Sequence, residues 1–171
     1  MRIWPFFVCS LAAGLSPASA MELRSADVTE GTKIGLDQIY TRCGGQNVSP
    51  ALSWSGAPSG TKSFALTMID LDVKPNLWSH WIVVDLPAGT RQLGRGATLP
   101  ADAHALVSDF GDAAYDGPCP PPGSGLHHYR LTIWAMPDAT VSPDTRSAAA
   151  LSVWLGRHAL ASASLTGTFE R

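Results

Sequence analysis

Charged residues are scarce in this chain, at 15% of its 171 residues, and neither sign forms a run. Lys and Arg number 12 and Asp and Glu 14, so the formal net charge is −2. The absence of a basic stripe argues against a nucleic-acid partner. Hydrophobic residues reach 45%, which together with the low charge excludes an intrinsically disordered chain. We expect a single globular domain with a substantial core.

Long apolar runs are absent beyond the N-terminus. There, Arg2 precedes the run IWPFFVCSLAAGL, and Ala18-Ser19-Ala20 has the small-residue pattern of a cleavage site. A first core strand or a membrane anchor is the alternative, which the shortness of the run and Pro5 disfavour. We therefore predict a signal peptide at residues 1–20, a mature domain at 21–171 without a transmembrane segment, and export to the periplasm or beyond.

Cysteine is also rare, with three residues. Cys9 falls in the predicted signal peptide, whereas Cys43 and Cys119 lie in loops rich in glycine or proline. In an oxidising compartment an even pair of loop cysteines favours a disulfide. Two unrelated thiols are the alternative that the sequence leaves open.

Short β-type runs dominate the mature chain. They are SFALTMID (63–70), HWIVVDL (80–86), HYRLTIWAM (128–136) and a final SASLTGTF. The first two are almost continuously apolar, so we expect both of their faces to be covered. The one helix candidate begins in VSPDTRSAAALSVWLGRHAL, where Ser142 or Asp144 would cap it and Pro143 would open its first turn. Many strands with one late helix predict a mainly β (α+β) architecture.

The segment GPCPPPGSGLHHYR (117–130) is a stiff approach to a strand. Proline excludes helix and central strand in its first half, and the glycines supply tight turns. Because side chains alternate along a strand, His127 and Tyr129 share one face and His128 takes the other. The segment, here called the collar, thus directs an imidazole and a phenol to the same place.

Polar residues also stand at the ends of the two apolar strands. Asp70 and Asp72 close the first, two positions apart, and His80 opens the second. These side chains would meet those of the collar strand if the strands are antiparallel neighbours. Each signal taken alone is weak, because a single histidine at a strand end is more typical of a surface or satisfied core position than of a functional site.

The segments SPALSW, DLD, WSHWIVVDLP, DGPCPPPGSGLHHYR and LASASLTGTF together resemble the phosphatidylethanolamine-binding protein family, most closely its bacterial Raf-kinase-inhibitor-like members. The resemblance covers roughly residues 23–170 in the family's order. It implies an antiparallel β-sandwich with Greek-key connections, a C-terminal helix and a small anion pocket. The matching motifs imply a ligand site of Asp70, Asp72, His80, Cys119, Pro121, His127 and Tyr129.

The resemblance further implies a non-enzymatic binding protein for a phosphoryl or carboxylate headgroup, without a cofactor, that modulates a kinase or protease by contact. Protonated His80 or His127 and the Tyr129 hydroxyl would donate to the anion, and Asp70 would orient a histidine. The motifs place no Arg or Lys in the pocket, so the affinity for bare phosphate should be weak.

Two enzymatic alternatives remain at this point. Asp70, His80 and His127 match the two-histidine, one-carboxylate composition of a divalent-metal site. A hydrolase with a Ser/His/Asp set is disfavoured, because the sequence has no G-x-S-x-G motif and its nearest glycine-serine step, Gly123-Ser124-Gly125, lies in a turn.

Overall fold

The structure is a computed structural model that describes residues 20–143, 145 and 147–171. Residues 1–19 of the predicted signal peptide, and Asp144 as a helix cap, lie outside the described residues. No helix of the described part has the length and apolar character needed to cross a membrane.

The described residues form eight strands and one α-helix. The strands are β1 (Glu22–Ser25), β2 (Leu52–Ser55), β3 (Ser63–Asp70), β4 (Trp78–Pro87), β5 (Gln92–Leu93), β6 (His104–Ala105), β7 (His127–Met136) and β8 (Ala161–Phe169). The helix α1 (Ala148–His158) lies between β7 and β8. Two short 3₁₀ helices, Leu36–Gln38 and Thr41–Cys43, lie between β1 and β2.

The strands form two sheets. The smaller has the order β1-β2-β5 and the larger the order β6-β4-β3-β7-β8, and every ladder between these named strands is antiparallel. The predicted mainly β fold, with antiparallel sheets and one C-terminal helix, is therefore confirmed.

Strand β3 lies at the centre of the larger sheet, and all eight of its residues are buried. Phe64, Leu66 and Met68 pack in one core with residues of the smaller sheet such as Trp54. Ala65, on the opposite face of β3, belongs to a second core that α1 covers through buried leucines. Both faces of the strand are thus covered, as its continuous apolar sequence predicts.

The helix starts later than the sequence predicts. Ser147, not Ser142, is the N-cap, and its side chain accepts a hydrogen bond from the Ala150 N–H. The preceding segment is held at the sheet instead, because the N–H of buried Val141 donates to Asp85 Oδ1 at 2.7 Å. The prediction that Pro143 opens the first turn was wrong for the same reason.

Candidate functional site

The polar ends of three strands meet at one end of the larger sheet. Asp70, the last residue of β3, pairs directly with Trp78 on β4 and with Tyr129 on β7. Directly opposed residues of antiparallel strands point to the same face. The condition that the sequence left open is met, because β4 and β7 are both antiparallel neighbours of β3.

His80 reaches this face through a β-bulge. Met68 pairs with Trp81, but the next residue of β3, Ile69, pairs with Ser79, so His80 is an extra residue in β4. A bulge bends the strand and redirects a side chain. As a result the His80 ring lies against Tyr129, with ring centroids 5.1 Å apart, although the adjacent Trp81 also packs in the core on that face.

His127 and Asp70 form a buried pair. His127 Nδ1 lies 2.7 Å from Asp70 Oδ2, and both side chains are almost completely buried. The other oxygen, Asp70 Oδ1, accepts the N–H of Asp72 at 2.9 Å. The carboxylate therefore orients the ring and fixes a hydrogen on its Nδ1.

The second nitrogen of the His127 ring lies 3.0 Å from Ser124 Oγ. The Ser124 hydroxyl donates its only hydrogen to the Pro121 carbonyl at 2.8 Å, so it acts as an acceptor toward Nε2. Both ring nitrogens of His127 thus face oxygen atoms, Nδ1 that of Asp70 and Nε2 that of Ser124. Ser124, His127 and Asp70 stand in the order of a hydrolase triad, but the serine hydrogen points away from the histidine.

His80 bonds to a backbone carbonyl instead of a carboxylate. Its Nδ1 lies 2.8 Å from the backbone carbonyl of Asp116, which only accepts, so Nδ1 holds the hydrogen. Burial lowers the pKa of His80, against the smaller opposing effects of the Asp116 carbonyl and the Asp70 charge. His80 is thus a neutral ring with a hydrogen-bond acceptor at Nε2, and the expectation of a protonated donor applies to His127 alone.

Tyr129 presents a buried hydroxyl. The residue is fully buried, and its hydroxyl has no hydrogen-bond partner among the described residues. Burial, and next the negative charge of Asp70, raise the pKa of the Tyr129 phenol far above its ordinary value; the Asp70 carboxylate lies near the hydroxyl without completing a hydrogen bond of good geometry to it. The phenol therefore keeps its hydrogen and can donate it.

The side chains at this end of the sheet surround a cavity of about 330 Å³. Its lining residues are Asp70, Val73, Trp78, His80, Phe110, Cys119, Pro120, Pro121, His127 and Tyr129. None of them is Lys or Arg. The structure thus brings together six of the seven predicted site residues. The seventh, Asp72, is engaged elsewhere, since it accepts the His128 N–H at 2.7 Å and lies 2.9 Å from His128 Nδ1.

Phe110 is the main lining residue that the sequence did not reveal. Its ring contacts His80 at 5.0 Å between centroids, Tyr40 at 5.2 Å and Trp78 at 6.1 Å. It belongs to the irregular segment SDFGD, which has no periodicity that would mark it. Trp78 could have been found, because it precedes His80 by two positions on the same strand.

A disulfide anchors the collar. Cys43 and Cys119 are bonded, with Cα atoms 5.5 Å apart, and Cys119 lines the cavity. The bond connects the collar to the end of the Thr41–Cys43 helix. The wall formed by Cys119 and Pro121 is therefore fixed covalently as well as by proline stiffness.

The metal alternative is not supported. Within the described part of the chain, no group of three or more His, Cys, Asp or Glu side chains is arranged to hold a metal ion. The reason is visible in the contacts. Asp70 is committed to His127, and the Nδ1 atoms of both His80 and His127 face oxygen acceptors instead of a common point.

Comparison with known proteins gives consistent results. The family profile described as phosphatidylethanolamine-binding protein matches residues 24–170. The chain is 37% identical over 163 residues to UPF0098 protein YbcL of Escherichia coli, covering 90% of this chain and 89% of that protein. It is 38% identical over 132 residues to the putative lipoprotein LppC of Mycobacterium tuberculosis, covering 77% of this chain and 65% of that protein.

The fold agrees as well. The crystal structure of E. coli YbcL, described as a new member of the mammalian PEBP family, superposes with a TM-score of 0.80 at 34% identity. The match covers 90% of this chain and 99% of that one. With its strands, its collar and the profile match in agreement, the chain belongs to the phosphatidylethanolamine-binding protein family and is similar to the bacterial members of that family.

Proposed function

We propose that this protein is an exported binding protein whose cavity holds a small anion, a phosphoryl or carboxylate headgroup. Family membership supports a binding role. The observation that carries the finer proposal is the Tyr129 hydroxyl, a fully buried donor without a partner among the described residues, on the wall of the cavity. A buried polar group of this kind is costly unless something accepts its hydrogen bond.

The anion would lie between two donors. Tyr129 O–H is one, and His127 Nε2–H is the other, since its contact with the hydroxyl of exposed Ser124 is one that a ligand oxygen can share or replace. Whenever the His127 ring is protonated, the Asp70 carboxylate balances its charge. With so little free positive charge, we expect dissociation constants of roughly 0.1–1 mM.

Binding, not catalysis, fits the arrangement of Ser124. A serine nucleophile needs a base that accepts its hydrogen, and here that hydrogen goes to the Pro121 carbonyl. Modulation of a kinase or protease by contact stays a prediction from the family resemblance.

Export rests on three separate features. They are the N-terminal segment with its A-x-A pattern, the Cys43–Cys119 disulfide, and the similarity to a protein named a putative lipoprotein. N-terminal sequencing of the protein recovered from outside the cytoplasm should find Met21 first. Recovery of the chain from the cytoplasm with residues 1–20 intact and free thiols would contradict export.

The ligand site is tested by titrating the isotopically labelled mature domain with phosphoethanolamine and with acetate, followed by amide chemical shifts. Both anions should shift amides of the collar and of the β3, β4 and β7 ends. Choline chloride is the control, because it has no oxyanion. Shifts confined to other surfaces, or none up to about 10 mM, would refute the anion site.

A further inference from the structure

The cavity pairs two donors with one acceptor in a setting without net charge. The donors are Tyr129 O–H and the Nε2–H of His127, and the acceptor is Nε2 of His80. Asp70 balances a protonated His127 ring, and no Lys or Arg is among the described residues that line the cavity. This combination differs from that of a site built for a dianion, which would offer donors and positive charge only.

We propose that the site selects singly charged oxyacids that keep one acidic hydrogen, and that His80 recognises this hydrogen by accepting it in a hydrogen bond. In this arrangement the ligand accepts from Tyr129 and His127 through two oxygens, and its remaining O–H donates to His80 Nε2. Monoanions of phosphate monoesters, R–O–PO₂(OH)⁻, have this pattern. Sulfate and sulfate monoesters lack the hydrogen. The inference rests on the proposed anion site and specifies which anions it takes.

The first support is the fixed orientation of the His80 ring. Its Nδ1–H is used by the Asp116 carbonyl at 2.8 Å, and that carbonyl is held in turn because the Asp116 N–H donates to the His80 carbonyl at 3.1 Å. Tyr129 and Phe110 pack against the ring at 5.1 and 5.0 Å between centroids. The ring therefore cannot turn over to offer a hydrogen to the ligand without losing a buried hydrogen bond.

The second support is the set of charges around His80. The titratable groups around it in the described structure are Asp70 of β3, Asp109 of the loop before the collar, and Tyr129 and His127 of β7. Two are carboxyl groups, and His127 alone among them can carry a positive charge. Burial nevertheless lowers the pKa of His80, which favours the neutral ring. A dianion would bring two negative charges close to these carboxylates with a single imidazolium at most to offset them, whereas a monoanion brings half of that charge.

The experiment compares methyl phosphate with methyl sulfate. At pH 5 both carry one negative charge and have nearly the same size and shape, but methyl phosphate alone keeps an acidic hydrogen. Calorimetry on the mature domain should show methyl phosphate binding at least about tenfold more tightly, because with methyl sulfate an unprotonated oxygen would face the His80 acceptor. Between pH 6 and 8 the affinity for methyl phosphate should fall as the ligand loses its second hydrogen, by more than the affinity for methyl sulfate falls.

His80→Phe removes the acceptor and keeps a ring of similar size. In this variant the two esters should bind with similar affinity, whereas His104→Phe, at an exposed position of β6, should keep the discrimination. Thermal unfolding verifies that each variant is folded. If His80→Phe does not fold, the comparison of the two esters on the wild-type protein across pH decides alone.

The outcomes separate the two proposals. Equal affinity of the two esters for the wild-type protein, with the same pH dependence, would contradict the recognition of the acidic hydrogen by His80. The proposal of an anion site would still stand. Tighter binding of methyl sulfate would contradict that recognition as well. Binding of neither ester, nor of acetate, would refute the anion site itself and the inference with it.

Discussion

Asp70 Oδ2 and His127 Nδ1 lie 2.7 Å apart, joining the last residue of β3 to the first residue of β7. Both side chains are buried, so neither charge is well solvated without the other. The pair therefore has two consequences for the cavity. It supplies an oriented imidazole to the cavity, and it offsets the charge that this ring acquires when it is protonated.

Replacing His127 with alanine should abolish most anion binding. The variant loses one of two donors, and Asp70 keeps a negative charge that is no longer balanced. We expect the affinity for phosphoethanolamine, measured by calorimetry, to fall more than about tenfold. The unfolding free energy should also fall by about 3 kcal/mol, because a buried charge loses its partner.

His128→Ala is the matched control for this change. The His128 side chain is about half exposed and contacts Asp72 on the opposite face of the strand. Its loss should change the anion affinity less than about twofold, since an exposed ion pair contributes little. Equal losses of affinity in the two variants would show that the collar strand has only a structural role.

Tyr129→Phe should separate binding from stability. The hydroxyl has no partner among the described residues, so its removal should leave the unfolding free energy within about 0.5 kcal/mol of the wild-type value. The anion affinity should nevertheless fall about tenfold, because the ligand loses a buried donor. Urea unfolding and calorimetry on the same sample measure the two effects.

Tyr115→Phe should show the opposite behaviour. The Tyr115 hydroxyl is buried and donates to the Gln38 carbonyl at 2.8 Å, outside the cavity. Its removal should lower the unfolding free energy by about 1–2 kcal/mol and leave anion affinity unchanged. A stability loss from Tyr129→Phe as large as that from Tyr115→Phe would contradict the assignment of the Tyr129 hydroxyl to the ligand.

Asp116 should make the protein less stable as pH rises. Burial, and next the neighbouring Asp112 carboxyl, raise the pKa of Asp116 from 3.8 to about 6. Between these values the folded state binds more protons than the unfolded state, so the unfolding free energy falls as pH rises and levels off above pH 6. Asp116→Asn should flatten this part of the profile and raise the stability at pH 8 by about 1 kcal/mol.

Urea unfolding midpoints at pH 4.5 and 8 measure this effect. The exposed Asp102 offers the control, because Asp102→Asn removes a carboxylate that makes no hydrogen bond within the described residues. A stability profile of Asp116→Asn with the same slope as that of Asp102→Asn would exclude Asp116 as the cause.

The disulfide should contribute strongly to stability. Cys43 and Cys119 are 76 residues apart in sequence, and closing a loop of that length removes about 4 kcal/mol of unfolded-state entropy. The double variant Cys43→Ala/Cys119→Ala should lose close to this amount. Non-reducing mass spectrometry of the exported protein should also find the mass lower by two hydrogens. Two free thiols, or an unchanged unfolding midpoint in the double variant, would show that the bond is absent or without effect.

The sequence predicts the parts of this fold that depend on local patterns. The apolar run at 63–70 is β3 with the predicted bounds, because a strand covered on both faces is apolar at nearly every position. The alternation of His127, His128 and Tyr129 is equally local, and their burial follows it. Strands β5 and β6 were not predicted, since two residues are too few to show a period.

The remaining features depend on contacts between distant segments. Phe110 reaches the cavity from an irregular loop, and the tautomer of the His80 ring depends on a carbonyl 36 residues away. Asp72 shares a motif with Asp70 but bonds to His128, because the chain leaves the strand after Asp70. Neither a period nor a motif encodes these arrangements.

The bulge at His80 makes the site sensitive to the number of residues in β4 as well as to their identity. Trp81 faces the core, so regular alternation would turn His80 toward the side that α1 covers. Deleting Ser79 would restore that alternation while retaining every ligand-site residue. Such a chain would lack a single serine and would still lose the hydrogen-bond acceptor that His80 gives the cavity. In this segment, therefore, descendants of this gene should tolerate replacement more readily than a change of length.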